Sequence, residues 1–133
     1  MSCIFCKIVK GDIPCVKLAE TALSLAFLDI APTSKGHALV IPKEHAAKMH
    51  ELSDESCADI LPLVKKVTKA IGPENYNVLQ NNGRIAHQFV DHVHFHIIPK
   101  PNEEYGLGVG WPSYPISPEE IKALGEEISS KIK

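Results

Sequence analysis

At 133 residues and 14.6 kDa the chain has room for one domain. Its composition, 44% apolar and 23% charged, is that of a soluble globular protein, and its longest apolar run, Ala38 to Ile41, falls far short of the roughly 18–20 residues of a membrane span. A net charge of -2 with Arg84 as the sole arginine leaves no basic face for nucleic acid. With no leader segment, the expectation is an intracellular protein, cytoplasmic or also nuclear, with no membrane partner. Cys3, Cys6, Cys15 and Cys57 are too few for a disulfide framework and read as reduced thiols.

In chain order, Ile4 to Lys10 reads as a short helical turn stopped by Gly11. Val16 to Ala19 and Leu23 to Leu28 suggest a hairpin, Asp29 to Gly36 a loop, and His37 to Ile41 a buried strand stopped by Pro42. Ser53 caps a long helix in which Cys57, Leu61, Val64, Val67 and Ile71 recur at helical spacing, with a kink or early break expected at Pro62. Tyr76 to Gln80 reads as a strand, Asn81 to Ala86 as a polar turn, and His92 to Ile98 as a strand closed by Pro99. After a Gly- and Pro-rich stretch over 100–115, Ser117 and Glu120 form a capping box for a helix with Ile121, Leu124, Ile128 and Ile132 on one face. Strands and helices segregate without regular alternation, which argues α+β with a mainly antiparallel sheet.

Histidine and apolar residues alternate from His92 to Ile97, so an extended chain projects His92, His94 and His96 from one face and Val93, Phe95 and Ile97 from the other. The outer two backbone positions lie about 13 Å apart, too far for all three rings to converge about 2.0 Å from one zinc. Two of them can share a metal. Neutral imidazole is also a nucleophile, and neighbouring rings can hold phosphate oxygens, so covalent phosphoryl or nucleotidyl transfer follows. Cys3 and Cys6, two residues apart, read as half of a zinc site, a redox pair or two unrelated thiols. The redox reading lacks the preceding strand it needs, and the histidines supply further candidate ligands. His50 reads as a solvated surface residue, and Cys15 and Cys57 as buried small apolar residues.

His92 to Ile98 resembles the histidine triad motif, and Cys3 to Ile8, Phe27 to Ile30, Gly36 to His45 and Asn81 to Gly83 look like the Hint branch of the histidine triad (HIT) superfamily. The resemblance implies an α+β HIT-like fold with a mainly antiparallel sheet of about five strands, one long helix and a C-terminal helix. It implies a single domain over 1–133, with a family-like core over 3–99 and a tail with a helix over 100–133. In such a protein His94 attacks the α-phosphorus of a nucleotide and water hydrolyses the nucleotidyl-histidine. The backbone carbonyl of His96 orients the far nitrogen of the His94 ring, the His96 ring faces phosphate, and His92 and His37 complete the catalytic group. Asp29 takes the ribose hydroxyls, Phe5, Ile8, Phe27, Ile30 and Leu39 form the base slot, and Asn81 and Phe89 lie near the phosphate with His94 and His96.

The resemblance further implies a structural zinc on Cys3, Cys6, His45 and His92, no catalytic metal, and a homodimer. The implied activity is hydrolysis of purine nucleoside 5'-phosphoramidates, AMP or GMP joined to an amine or lysine. A dinucleoside polyphosphate hydrolase and a zinc-stabilised nucleotide-sensing module are the rival readings. His87 and Phe89 depart from the family pattern, standing where many relatives have Gly and a small hydroxyl residue, and Trp111 in the tail is a candidate cover for a substrate opening.

Overall fold

The structure, a computed structural model, describes residues 3–132. Met1, Ser2 and Lys133, the ends of the expected domain, lie outside the described residues. Helix α1 (Ile4–Lys10) is followed by β1 (Lys17–Glu20), β2 (Ser24–Leu28), β3 (Ala38–Pro42), a 3-10 turn (Met49–Glu51) and α2 (Asp54–Ile71). Then come β4 (Tyr76–Gln80), β5 (Phe95–Pro99) and α3 (Pro118–Lys131). The fold is α+β, with an antiparallel five-stranded sheet in the order β1-β2-β3-β5-β4.

Both faces of the central strands are covered, which is why β2 and β3 read as unbroken apolar runs rather than as alternating ones. On one face Ala26, Ala38, Val40 and Ile97 pack against Ile60, Leu63, Val64 and Val67 of α2. On the other, Leu25, Phe27, Leu39 and Ile41 pack against Phe5 of α1, flanked by Ile8 and Val9. The division follows the strand period of two: even positions of β2 and β3 face α2 and odd positions face α1.

Ser53 caps α2 by accepting from the Ser56 N–H, and Gly72 closes it in the left-handed conformation at φ 74°. The helix runs through Pro62 without the expected break. Pro62 and the Ala58 carbonyl that loses its partner are on the exposed side, where water takes up the lost bond. The buried stripe also differs from the expected one: Ile60 is 1% exposed, whereas Leu61 is 53% exposed. Ser56, Ile60, Val64 and Thr68 set the phase of the helix, and Leu61 is turned away from the sheet.

Strand β5 starts at Phe95 rather than His92. The β3–β5 register pairs Val40 with Phe95, and two more steps would set Val93 opposite Pro42, which has no N–H to give. The Val93 N–H instead donates to the Ala46 carbonyl at 2.9 Å, so 92–94 approaches the sheet along a separate path. Cys15 and Cys57 are half-buried rather than buried. Helix α3 forms with its Ser117–Glu120 capping box, but Ile121, Leu124, Ile128 and Ile132 are all exposed.

These burial values set a mutational contrast. Ile60→Ala should cost about 2–5 kcal/mol through the cavity it leaves, while Leu61→Ala should stay within about 0.5 kcal/mol. Urea unfolding of the two variants measures it, and equal losses would show that the helix phase is wrong.

Candidate active site

The sheet register builds the site. Phe27 pairs with Leu39, Leu39 with His96, and His96 with Leu79, so one cross-strand row carries His96 onto the face that holds Phe27, Leu39 and Phe5. His94, two residues earlier, continues that face, and its ring lies 5.1 Å from the Phe5 ring and 5.0 Å from the His96 ring. Above this row opens a cavity of about 360 Å³. Phe5, Ile8, Phe27 and Leu39 form its apolar wall, and Asp29 and Ile30 lie on it beside them. His94 and His96 line it at the reacting end, with His87 and Phe89 beyond.

Asn81 lies outside that lining. Its side-chain amide donates to the His87 carbonyl at 3.2 Å and closes the loop after β4. Ile13, Pro14 and Cys15 line the cavity although sequence reasoning treated them only as the exit from α1. The Gly11 reversal that ends α1, at φ 86°, is the signal that returns this segment over the pocket.

Hydrogen bonds assign a tautomer to each ring, because a carbonyl only accepts and a backbone N–H only donates. His94 Nδ1 lies 2.7 Å from the His92 carbonyl, so Nδ1 carries the proton and Nε2 keeps its lone pair. The orienting carbonyl is that of His92, not of His96 as the family resemblance suggested: only the preceding histidine, two residues back on the turn into β5, can fold its carbonyl under the ring. His37 Nδ1 accepts from the Thr33 N–H at 3.1 Å, which leaves the proton on His37 Nε2. That Nε2 donates to His96 Nδ1 at 3.0 Å, so His96 Nε2 carries a proton.

Burial keeps these rings neutral. It pushes His94, His37 and His92 below the ordinary histidine range. His96 is pushed down to about 4 by burial and then by the neighbouring His94 and His37. Asp29 Oδ1 accepts from the Ala31 N–H at 2.8 Å, while Oδ2 lies 3.5 Å from His37 Nε2. Asp29 therefore caps its turn and also presents a carboxylate oxygen to the cavity. Asp29, His37 and His96 lie close enough to be metal ligands, but the Thr33 N–H fixes the His37 proton on the nitrogen that would have to bind. They form a hydrogen-bond relay instead.

A second cluster lies on the other side of Phe5, whose ring is also 5.9 Å from that of His92. Cys3, the N-cap of α1, and Cys6 in its first turn meet His45 and His92. His92 Nε2 donates to the Pro42 carbonyl at 2.8 Å, leaving the Nδ1 lone pair aimed at the cluster. A tetrahedral zinc has nitrogen–nitrogen edges of about 3.3 Å and nitrogen–sulfur edges of about 3.5 Å. His45 Nδ1 lies 3.2 Å from His92 Nδ1, Cys3 Sγ 3.5 Å from His92 Nδ1, and Cys6 Sγ 3.3 Å and 3.6 Å from His45 and His92. The donor set fits zinc in type and in edge length.

A sheet whose central row delivers paired histidines beneath an apolar slot is the arrangement of the histidine triad, and the chain belongs to the HIT domain family, whose sequence pattern matches residues 10–103. It is 54% identical over 132 residues to adenosine 5'-monophosphoramidase HNT1 of Saccharomyces cerevisiae, covering 99% of this chain and 84% of that one. It superposes with TM-score 0.93 on the crystal structure of histidine triad nucleotide-binding protein from Candida albicans, at 54% identity, covering 98% of this chain and 96% of that one. A HIT family protein from Bacillus subtilis matches with TM-score 0.94 at 40% identity, covering 100% of this chain and 99% of that one. No helix among the described residues is long and apolar enough to cross a membrane.

The depressed histidines make stability depend on pH. An unfolded histidine takes up its proton near pH 6.5 or so, whereas folded His96 does so only near about 4. Between these values the unfolded chain binds more protons, so stability present above about pH 6.5 is lost as pH falls. Chelator-treated protein should melt at progressively lower temperature from about pH 7 to about pH 5, and His96→Asn should flatten that slope. A melting temperature that holds or rises over this window would contradict the neutral, buried assignment.

Proposed function

We propose that this chain hydrolyses nucleoside 5'-phosphoramidates, purine conjugates such as AMP joined to an amine, through a nucleotidyl-histidine. The observation that carries the reading is the bare Nε2 of His94, fixed by the 2.7 Å bond from Nδ1–H to the His92 carbonyl and turned into a nucleotide-sized cavity. The 54% identity to an adenosine 5'-monophosphoramidase supports the choice of bond and nucleotide.

The base packs between Phe5, Ile8, Phe27, Ile30 and Leu39, and Asp29 accepts from the ribose hydroxyls. His94 Nε2 attacks the α-phosphorus while its Nδ1–H stays on the His92 carbonyl, which offsets the positive charge that develops on the ring. Bound phosphate brings negative charge beside His96 and offsets the burial that keeps it neutral. His96 then gains a proton, held in place by His37, and passes it to the leaving nitrogen as the phosphorus–nitrogen bond breaks and the amine departs. Water attacks the phosphorus next, its proton goes to His96, the phosphorus–His94 bond breaks and the nucleoside monophosphate is released. None of these steps draws on a metal.

The Cys3, Cys6, His45 and His92 set is proposed to hold a structural zinc, which when bound would clamp the start of α1 to the segment before β5. A homodimer is part of the same reading. β4 is an edge strand with Tyr76 and Val78 exposed, and the apolar stripe of α3 is exposed as well, as expected of surfaces covered by a second copy. Trp111 and Tyr114, exposed in the tail between β5 and α3, are within that covered region in this reading.

Two measurements test the mechanism and the metal. His94→Ala should lower turnover of an AMP phosphoramidate at least about a thousandfold while AMP affinity stays within a few-fold. Near wild-type turnover would remove His94 as nucleophile. Stripping zinc should lower the melting temperature and weaken nucleotide binding, since Phe5 and Ile8 share α1 with the cysteines, yet leave the single-turnover rate at saturating substrate largely intact. Purified protein without stoichiometric zinc, or a chemical step that stops in still-folded protein, would defeat the structural assignment.

A further inference from the structure

The loop between β4 and β5 carries a feature that the hydrolytic steps above do not use. His87 is the one described non-glycine residue with positive φ, at 74°. Its conformation is held from several directions: its N–H donates to the Arg84 carbonyl at 3.0 Å, and its carbonyl accepts from the Asn81 amide at 3.2 Å. Gln88, 1% exposed, takes the Gly83 N–H on Oε1 at 2.7 Å and donates from Nε2 to the Ala47 carbonyl at 2.6 Å. A strained residue kept in place by this many bonds points to a use.

That use is visible in the side chains. The His87 ring meets the Phe89 ring edge-on at 4.4 Å, and the Arg84 guanidinium lies 5.2 Å over the same Phe89 ring. Phe89 is 57% exposed, so it serves as a platform at the cavity mouth rather than as core. Arg84, the only arginine in the chain, makes no ion pair among the described residues, although Asp91 is on the same loop. Its fork is held flat on the ring with its N–H edges free. His87 also lies near enough to His96 to oppose its protonation.

A nucleotide conjugate fills the cavity in covalent order. The base takes the α1 wall, the ribose Asp29, the phosphorus His94 and His96, and whatever follows the phosphorus meets the remaining wall, which is His87 and Phe89 backed by Arg84. We infer that Arg84, Phe89 and His87 form the leaving-group subsite, and that it favours leaving groups carrying an anion, such as an amino acid joined to the nucleotide through its nitrogen with its carboxylate free. The inference rests on the phosphoramidate reading for the bond that is cleaved, but the charge preference is a property of the subsite and can be measured without cleavage.

The probes are AMP joined through nitrogen to glycine and AMP joined to glycinamide, which differ only in the carboxylate. In the His94→Ala background, where neither is cleaved, the glycine conjugate should bind about tenfold more tightly, the value of one exposed charge-assisted hydrogen bond. Arg84→Met should bring the two affinities together, and added salt should shrink the difference. His87→Gly, which relieves the positive φ and so keeps the fold, should also reduce the ratio. Equal affinities in the parent, or a preference untouched by both substitutions, would overturn the subsite. In the wild-type enzyme the same preference should appear in kcat/KM. Failure to cleave either conjugate while the binding preference persists would sink the phosphoramidate reading and leave the subsite standing.

Discussion

The hydrogen bond from His92 Nε2 to the Pro42 carbonyl, 2.8 Å long and fully buried, is the contact on which both sites depend. Proline ends the β3–β5 ladder because it has no N–H, yet its carbonyl remains, and His92 occupies it. One nitrogen of His92 is thereby protonated and the other turned to Cys3, Cys6 and His45. The carbonyl of that same His92 then accepts from His94 Nδ1, which bares the second ring toward the cavity. A single backbone acceptor at the end of a strand thus determines the proton positions of two imidazoles, one suited to metal and the other to attack.

Helix α1 couples the two sites mechanically. Its N-cap and first turn carry Cys3 and Cys6, while Phe5 between them faces Phe27, His92 and His94. A seven-residue helix makes too few bonds to be stable alone, so its position is set by what holds its ends and by the burial of Phe5. Anything that anchors the two thiolates also holds the apolar wall of the cavity. This is a physical reason for a metal-ligand pair to sit outside the reaction and still influence substrate affinity.

Much of the fold was legible because the signals were local. Ser53 and Ser117 cap helices, Gly11 and Gly72 end them, and the alternation from His92 to Ile97 put the rings on one face. What was not legible required partners distant in sequence. The start of β5 depended on Pro42 opposing Val93 across the sheet, and the helix phase depended on which of Ile60 and Leu61 met Val40 and Ile97. Nothing in the polar turn after Gln80 announced that His87 would adopt positive φ, since its conformation comes from Gln88 reaching Ala47. The break expected at Pro62 failed because the rule concerns a lost hydrogen bond, and the loss is small where water faces the orphaned carbonyl.

The division of labour follows from rigidity. His96 belongs to a central strand paired on both sides, and His94 is tied to it by two residues and a backbone bond, so their geometry is shared with the core and cannot drift without disturbing the sheet. His87 and Phe89 belong instead to a loop anchored through one buried glutamine and the Asn81 amide. Substitutions there change what the far wall presents without moving the rings that react. Bond chemistry placed on the sheet and leaving-group contacts placed on the loop can therefore vary independently, and this explains how His87 and Phe89 can depart from the family pattern while the histidine row is kept.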